Sequence, residues 1–167
     1  MKPKRSHGGS CLCAACALVE GGASREEAAA RIRGWGTDML AKHGWFVHFV
    51  QDDPESPTRF NCHTHGLVEK DGHPDFQIVF PLPPPTLHGI LSAIVERVKA
   101  GERFKAGQTV ERVVGNGYEI KLVAAEEGGR AILRLIIPDR DGNLDVESLG
   151  GVFRDQYEGA GPQGLVS

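Results

Sequence analysis

The chain has 167 residues, of which 40% are hydrophobic and 25% charged, with a formal net charge of -3 and a pI near 6.2. That length supports one sizeable core, the composition excludes a chain kept disordered by its own charge, and the slight acidity removes the broad basic surface that binds phosphate backbones, so nucleic acid is not an expected partner. No stretch reaches the roughly 20 apolar residues of a membrane span, and the opening MKPKRSHGGS has charge with no apolar run behind it; the expectation is no signal peptide, no membrane partner and a cytoplasmic location.

Residues 1–10 lack periodicity and read as a flexible tail, 11–158 as a single α+β domain, and 159–167 as a second tail. Ser24 with Glu27 three residues on is a capping-box pattern and predicts a helix start. Ala28, Ile32, Trp35 and Met39 recur at helical spacing, and Gly44 after Lys42 and His43 marks the exit. Gly34 and Gly36 weaken the middle of that helix, each by about 1 kcal/mol relative to alanine.

Trp45 to Gln51 is rich in aromatic and β-branched residues and predicts a strand. A second is predicted over Thr58 to His65, with Phe60, Cys62 and Thr64 on one face and Asn61, His63 and His65 on the other. Gly66 to Gly72 reads as a loop, and Asp75 to Phe80 as a central strand stopped by Pro81. Leu87, Ile90, Leu91, Ile94, Val95 and Val98 form the stripe of a helix laid on a sheet, with Pro85 near its start and Gly101 past its end. Strands follow over Thr109 to Val114, Gly117 to Ala125 and Ala131 to Ile137, the last two joined through Gly128 and Gly129, and a short helix is predicted around Val146 to Phe153. The fold expected is α+β, a mostly antiparallel or mixed sheet of five to six strands with two main helices, one packed on the sheet.

Two clusters carry potential chemistry. His63-Thr64-His65 lies in an extended segment, where residues two apart face the same side, so both imidazoles can reach one ion at roughly 2.0 to 2.1 Å. Glu69, His73 and Asp75 follow in or beyond the next loop and offer a third ligand. The order His63, His65, Glu69 resembles the first half of a cupin metal motif, without that motif's flanking glycines or its second half. The blander reading is a pair of polar side chains on a solvated or hydrogen-bonded strand.

Cys11, Cys13 and Cys16 are spaced to wrap zinc, with the fourth ligand left to His7, Cys62, another histidine or a partner. Reduced, partly buried cysteines explain the same spacing. Arg134 interrupts an apolar strand, which points to an anion partner or a sheet edge.

Gly44-Trp45 entering a strand, Thr64 with Gly66-Leu67, the Gly72-His73-Pro74-Asp75 turn, the amphipathic helix, Gly101-Glu102-Arg103-Phe104 with Gly107, and Pro138-Asp139-Arg140-Asp141-Gly142 occur in one order. In that order they resemble the bacterial family catalogued as domain of unknown function 4262, over roughly residues 11 to 145. The resemblance implies a cysteine pair near the N-terminus as a family feature, and it brings no established activity. Where many members carry a tyrosine, threonine, small apolar, glycine, leucine run, this chain has His63-Thr64-His65-Gly66-Leu67 and is most similar to a histidine subgroup.

The functional expectation is therefore a domain that binds zinc or another divalent transition metal through His63 and His65, with His73 or Glu69 completing the shell, and that serves as a metal-dependent hydrolase. The alternative is a non-catalytic binding or regulatory module with a structural zinc site at the cysteines. A small-molecule or flavin-type pocket between sheet and helix rests on fold analogy alone. A small-molecule or protein partner and a homo-oligomer are left open by the sequence.

Overall fold

The computed structural model describes residues 14–51 and 60–160. In chain order its elements are α1 (Ala14–Glu20), α2 (Arg25–His43), β1 (Phe46–Gln51), β2 (Phe60–His65), α3 (Leu67–Asp71), β3 (Asp75–Phe80), α4 (Pro84–Lys99), β4 (Thr109–Val110), β5 (Ile120–Glu127), β6 (Arg130–Ile136) and α5 (Gly151–Asp155). No helix among these residues is long and apolar enough to cross a membrane.

Local signals set the two long helices. Glu27 N–H donates to Ser24 Oγ (3.1 Å) and Ser24 N–H to Glu27 Oε2 (2.8 Å), closing the capping box of α2. Gly44, at φ 77°, ends it by donating its N–H to Leu40 O. The α4 stripe is buried at all six expected positions, from Leu87 to Val98. On α2 the pattern is looser: Ala28 is buried, but Trp35 stays exposed and meets Phe46 edge-on, ring centroids 5.2 Å apart.

The six strands form one mixed sheet in the order β1-β2-β3-β6-β5-β4, antiparallel at every seam except the parallel β3–β6 pair. An α+β fold with a mixed sheet is thus present. Side chains alternate across it. One face presents Cys62, Phe76, Ile78, Leu122, Leu133 and Leu135, which pack with α4 into the main core. The other face is polar around its centre, with Asn61, His63, Gln77 and Arg134 buried there. Toward the β5–β6 side, Ile136 on this second face packs with Leu149 and Tyr157.

Several elements depart from the sequence reading. Residues 66–72, expected as a loop, contain α3, a single turn bracketed by Gly66 (φ 106°) and Gly72 (φ 64°) and too short for periodicity to reveal. Helix α1 carries no comparable start signal. Strand β4 stops at Val110, and Arg112 at φ 62° is incompatible with the extended run expected to Val114. Asn116 and Gly117, at φ 62° and 73°, turn the chain, so β5 begins at Ile120. The last helix is α5, later than the expected Val146 to Phe153.

Candidate metal centre

Strands β1 and β2 pair so that His48 stands opposite His63 and Phe46 opposite His65. Directly opposed residues of an antiparallel pair share a face, and residues two apart on one strand share it too. Three imidazoles therefore meet on the polar side of the sheet. Ring centroids are 5.1 Å apart for His48 and His63, 4.9 Å for His63 and His65, and 5.9 Å for His48 and His65. One ligand nitrogen from each lies within 4.8 Å of the others. Two nitrogens bound tetrahedrally to one zinc ion at roughly 2.0 to 2.1 Å sit about 3.4 Å apart, so small side-chain rotations close the remaining gap.

Packing around the cluster depends on glycines. Phe46 stacks on His65 at 4.9 Å, and a Cβ on Gly36 of α2 would come within 3.0 Å of the Phe46 ring. Gly66, directly after His65, is stricter: a Cβ there would lie 2.4 Å from Gly44 O and 2.5 Å from Leu40 Cδ2. The end of α2 thus lies against the end of β2 with no room for a side chain between them.

Burial dominates the electrostatics. It pushes the His63 pKa down to about 3 and that of His65 to about 4, with the other imidazoles and Arg130 acting the same way. His48 is lowered as well, chiefly by burial and against the pull of Glu127. In all three rings burial favours the neutral form, the state that carries a lone pair for a metal.

Further polar groups surround the cluster. His63 Nδ1 is 3.2 Å from Asn61 Oδ1; among the described residues, no hydrogen bond engages the rings of His48 or His65. Asn61 Nδ2 donates to Glu127 Oε2 (2.9 Å), and Gln77 Nε2 donates to both Asn61 Oδ1 and Glu127 Oε2 (2.9 Å each). Beside them, Arg130 Nη1 donates to Asp75 Oδ2 (2.9 Å), while Asp75 Oδ1 accepts from Thr64 Oγ1 (2.7 Å) and from Leu67 N–H (3.3 Å). Burial raises the Asp75 pKa against these partners.

The structure brings His63 and His65 together and adds His48, which the sequence reading passed over. It does not bring in His73: Nδ1–H donates to Pro74 O (2.7 Å), Nε2 accepts from Phe104 N–H (3.1 Å), and the ring lies against Phe76 and Phe104. No lone pair remains there for an ion. Glu69 is exposed on α3, outside the converging ligand atoms, and acts on His65 only through its charge. Asp75 is engaged by Thr64, Leu67 and Arg130 as above. Cys62 is buried on the apolar face with its thiol pushed up to about 12 by burial. Cys11, Cys13 and the side chain of Cys16 lie outside the described residues. Arg134 is not at a sheet edge, because β6 lies between β3 and β5. Its guanidinium serves Gln77 and two backbone carbonyls.

A mixed six-stranded sheet, covered by a helix on its apolar face and carrying three clustered histidines on its polar face, defines an α+β protein with a candidate metal centre. Residues 39–145 match the model of the family described as a domain of unknown function (DUF4262), and the chain belongs to that family. The matched span includes all three histidines together with Asn61, Gln77, Glu127 and Arg134. No curated protein and no solved structure matches the chain.

Proposed function

We propose that this chain binds a divalent transition metal, zinc by preference, through His48, His63 and His65. The observation that carries the reading is the convergence of three ligand nitrogens within 4.8 Å on one face of two paired strands. Imidazole ligands suit zinc, copper, nickel and iron, and three nitrogens without a thiolate argue against a closed structural zinc site, which takes four protein ligands. A divalent ion held by three imidazoles keeps a position for water or a substrate oxygen and can lower the pKa of that water to about 7, so metal-dependent hydrolysis is the chemistry we assign to it. Burial supports the reading, since it holds the rings neutral and free of competing protons.

The test is elemental analysis and calorimetric titration with zinc on protein purified without a histidine tag. The expected result is one ion per chain, lost in His48→Ala, His63→Ala and His65→Ala and kept when Cys13 and Cys16 are both changed to alanine. Cobalt substitution should give the intense visible bands of a tetrahedral site. Full stoichiometry in the histidine variants, with loss in the cysteine variant, would move the metal to the N-terminal cysteines and leave the histidines as packing residues.

A further inference from the structure

Arg134 sits in the middle of a sheet, and the groups it meets form a chain with a direction. Its residue exposure is 6%, and those of Gln77, Asn61 and His63 are 1%, 7% and 3%, so these polar atoms must find partners within the protein. A guanidinium only donates. Arg134 Nε–H donates to Gln77 Oε1 (2.7 Å), which turns the Gln77 amide nitrogen toward Asn61 Oδ1 and Glu127 Oε2. The far end is equally constrained. Glu127 Oε2 accepts from Asn61 Nδ2 (2.9 Å), so Asn61 keeps Oδ1 for its other neighbours.

One of those neighbours is His63 Nδ1, 3.2 Å away. An amide oxygen has no proton to offer, so Nδ1 must carry one, and the lone pair is left on Nε2. We propose that the chain running from Arg134 and Glu127 through Gln77 to Asn61 fixes His63 as its Nδ1–H tautomer, so that Nε2 is presented to a metal before any ion arrives. Asn61 is the contact; Gln77, Glu127 and Arg134 are positioning residues that act through it. This assignment rests on the metal-binding reading for its purpose, but the tautomer belongs to the metal-free protein and is measurable there. It also separates His63 from His48 and His65, whose rings have no such hydrogen bond among the described residues.

Ligand histidines held through the other ring nitrogen lose about ten- to a hundredfold in metal affinity when that partner is removed. Long-range proton–nitrogen correlation spectra of the metal-free protein at pH 7 should show His63 protonated on Nδ1. Asn61→Leu should move it toward the Nε2–H form and weaken zinc binding about ten- to a hundredfold, whereas Asn61→Asp combined with Glu127→Gln, which keeps an acceptor for Nδ1–H and places a donor where Glu127 stood, should preserve the tautomer. Arg134 also donates to Gln156 O (2.9 Å) and Glu158 O (2.6 Å), so replacing it risks the fold. Gln77→Met combined with Glu127→Gln frees the Asn61 amide instead and should give a mixture of tautomers, with backbone spectra reporting the fold. An Nε2–H His63 in the wild type, or an unchanged tautomer in Asn61→Leu, overturns the proposal even if zinc binds. An Nδ1–H His63 in a protein that binds no zinc upholds the hydrogen-bond chain and overturns the metal reading.

Discussion

The two faces of the sheet are built from the same strands, yet they are held together by different physics. On the α4 side, Leu91, Ile94, Ile78 and Leu135 are fully buried and gain from leaving water without regard to direction. On the opposite side, Asn61, His63, Gln77 and Arg134 are nearly as well hidden, but each would lose free energy there unless a donor met an acceptor. An apolar core tolerates small rearrangements. A buried polar chain does not, and that intolerance is what holds a ring nitrogen in one orientation.

Substitutions on each face can sharpen the contrast. The largest loss of stability is expected on the apolar side: Leu91→Ala should cost about 3 to 4 kcal/mol in denaturant unfolding while leaving zinc stoichiometry unchanged. Gln77→Leu should cost about 2 to 3 kcal/mol, because it removes the acceptor of Arg134 Nε–H and one of the two donors to Asn61 Oδ1 from a buried site, and it should weaken metal binding as well. Equal metal affinity in these two variants would erase the distinction between the faces.

Acid should act on the polar face first. The folded-state pKa of His63, about 3, lies below the ordinary imidazole value of 6.5, so the unfolded chain binds more protons between those limits and stability falls as pH drops through the window. Between pH 7 and pH 5 the metal-free protein should lose about 2 kcal/mol from this residue alone, with His48, His65 and His73 acting in the same direction. A flat stability profile over that range, or an unchanged one in His63→Ala, would contradict the burial of that ring. The smallest effect on stability is expected for half-buried His48: His48→Ala should cost under about 1 kcal/mol yet abolish binding of the ion.

Local signals were legible in the sequence and distant ones were not. The capping box at Ser24, the six-residue stripe of α4 and the side-chain alternation of β2 each depend on neighbours in the chain, and each is found in the structure. His48 was overlooked because its partner is set by strand register, and the eight residues between Gln51 and Phe60 are not a two-residue turn whose geometry would specify that register. Arg134 and Gln77 are 57 residues apart and meet only where β3 and β6 run side by side. In the sequence, Arg134 was a charge in an apolar strand; its explanation lies on another strand.

The parallel seam between β3 and β6 has a consequence for assembly. All three imidazoles belong to β1 and β2, so a peptide containing those two strands would hold every proposed ligand. Of the residues that orient one of them, Asn61 lies on β2 and Gln77 on β3, but Glu127 and Arg134 arrive only after the chain has travelled through α4 and β4 to the end of β5 and returned beside β3 on β6. A cut-down hairpin would thus keep the ligands and lose their alignment, making ion affinity a late gauge of whether the whole sheet has closed.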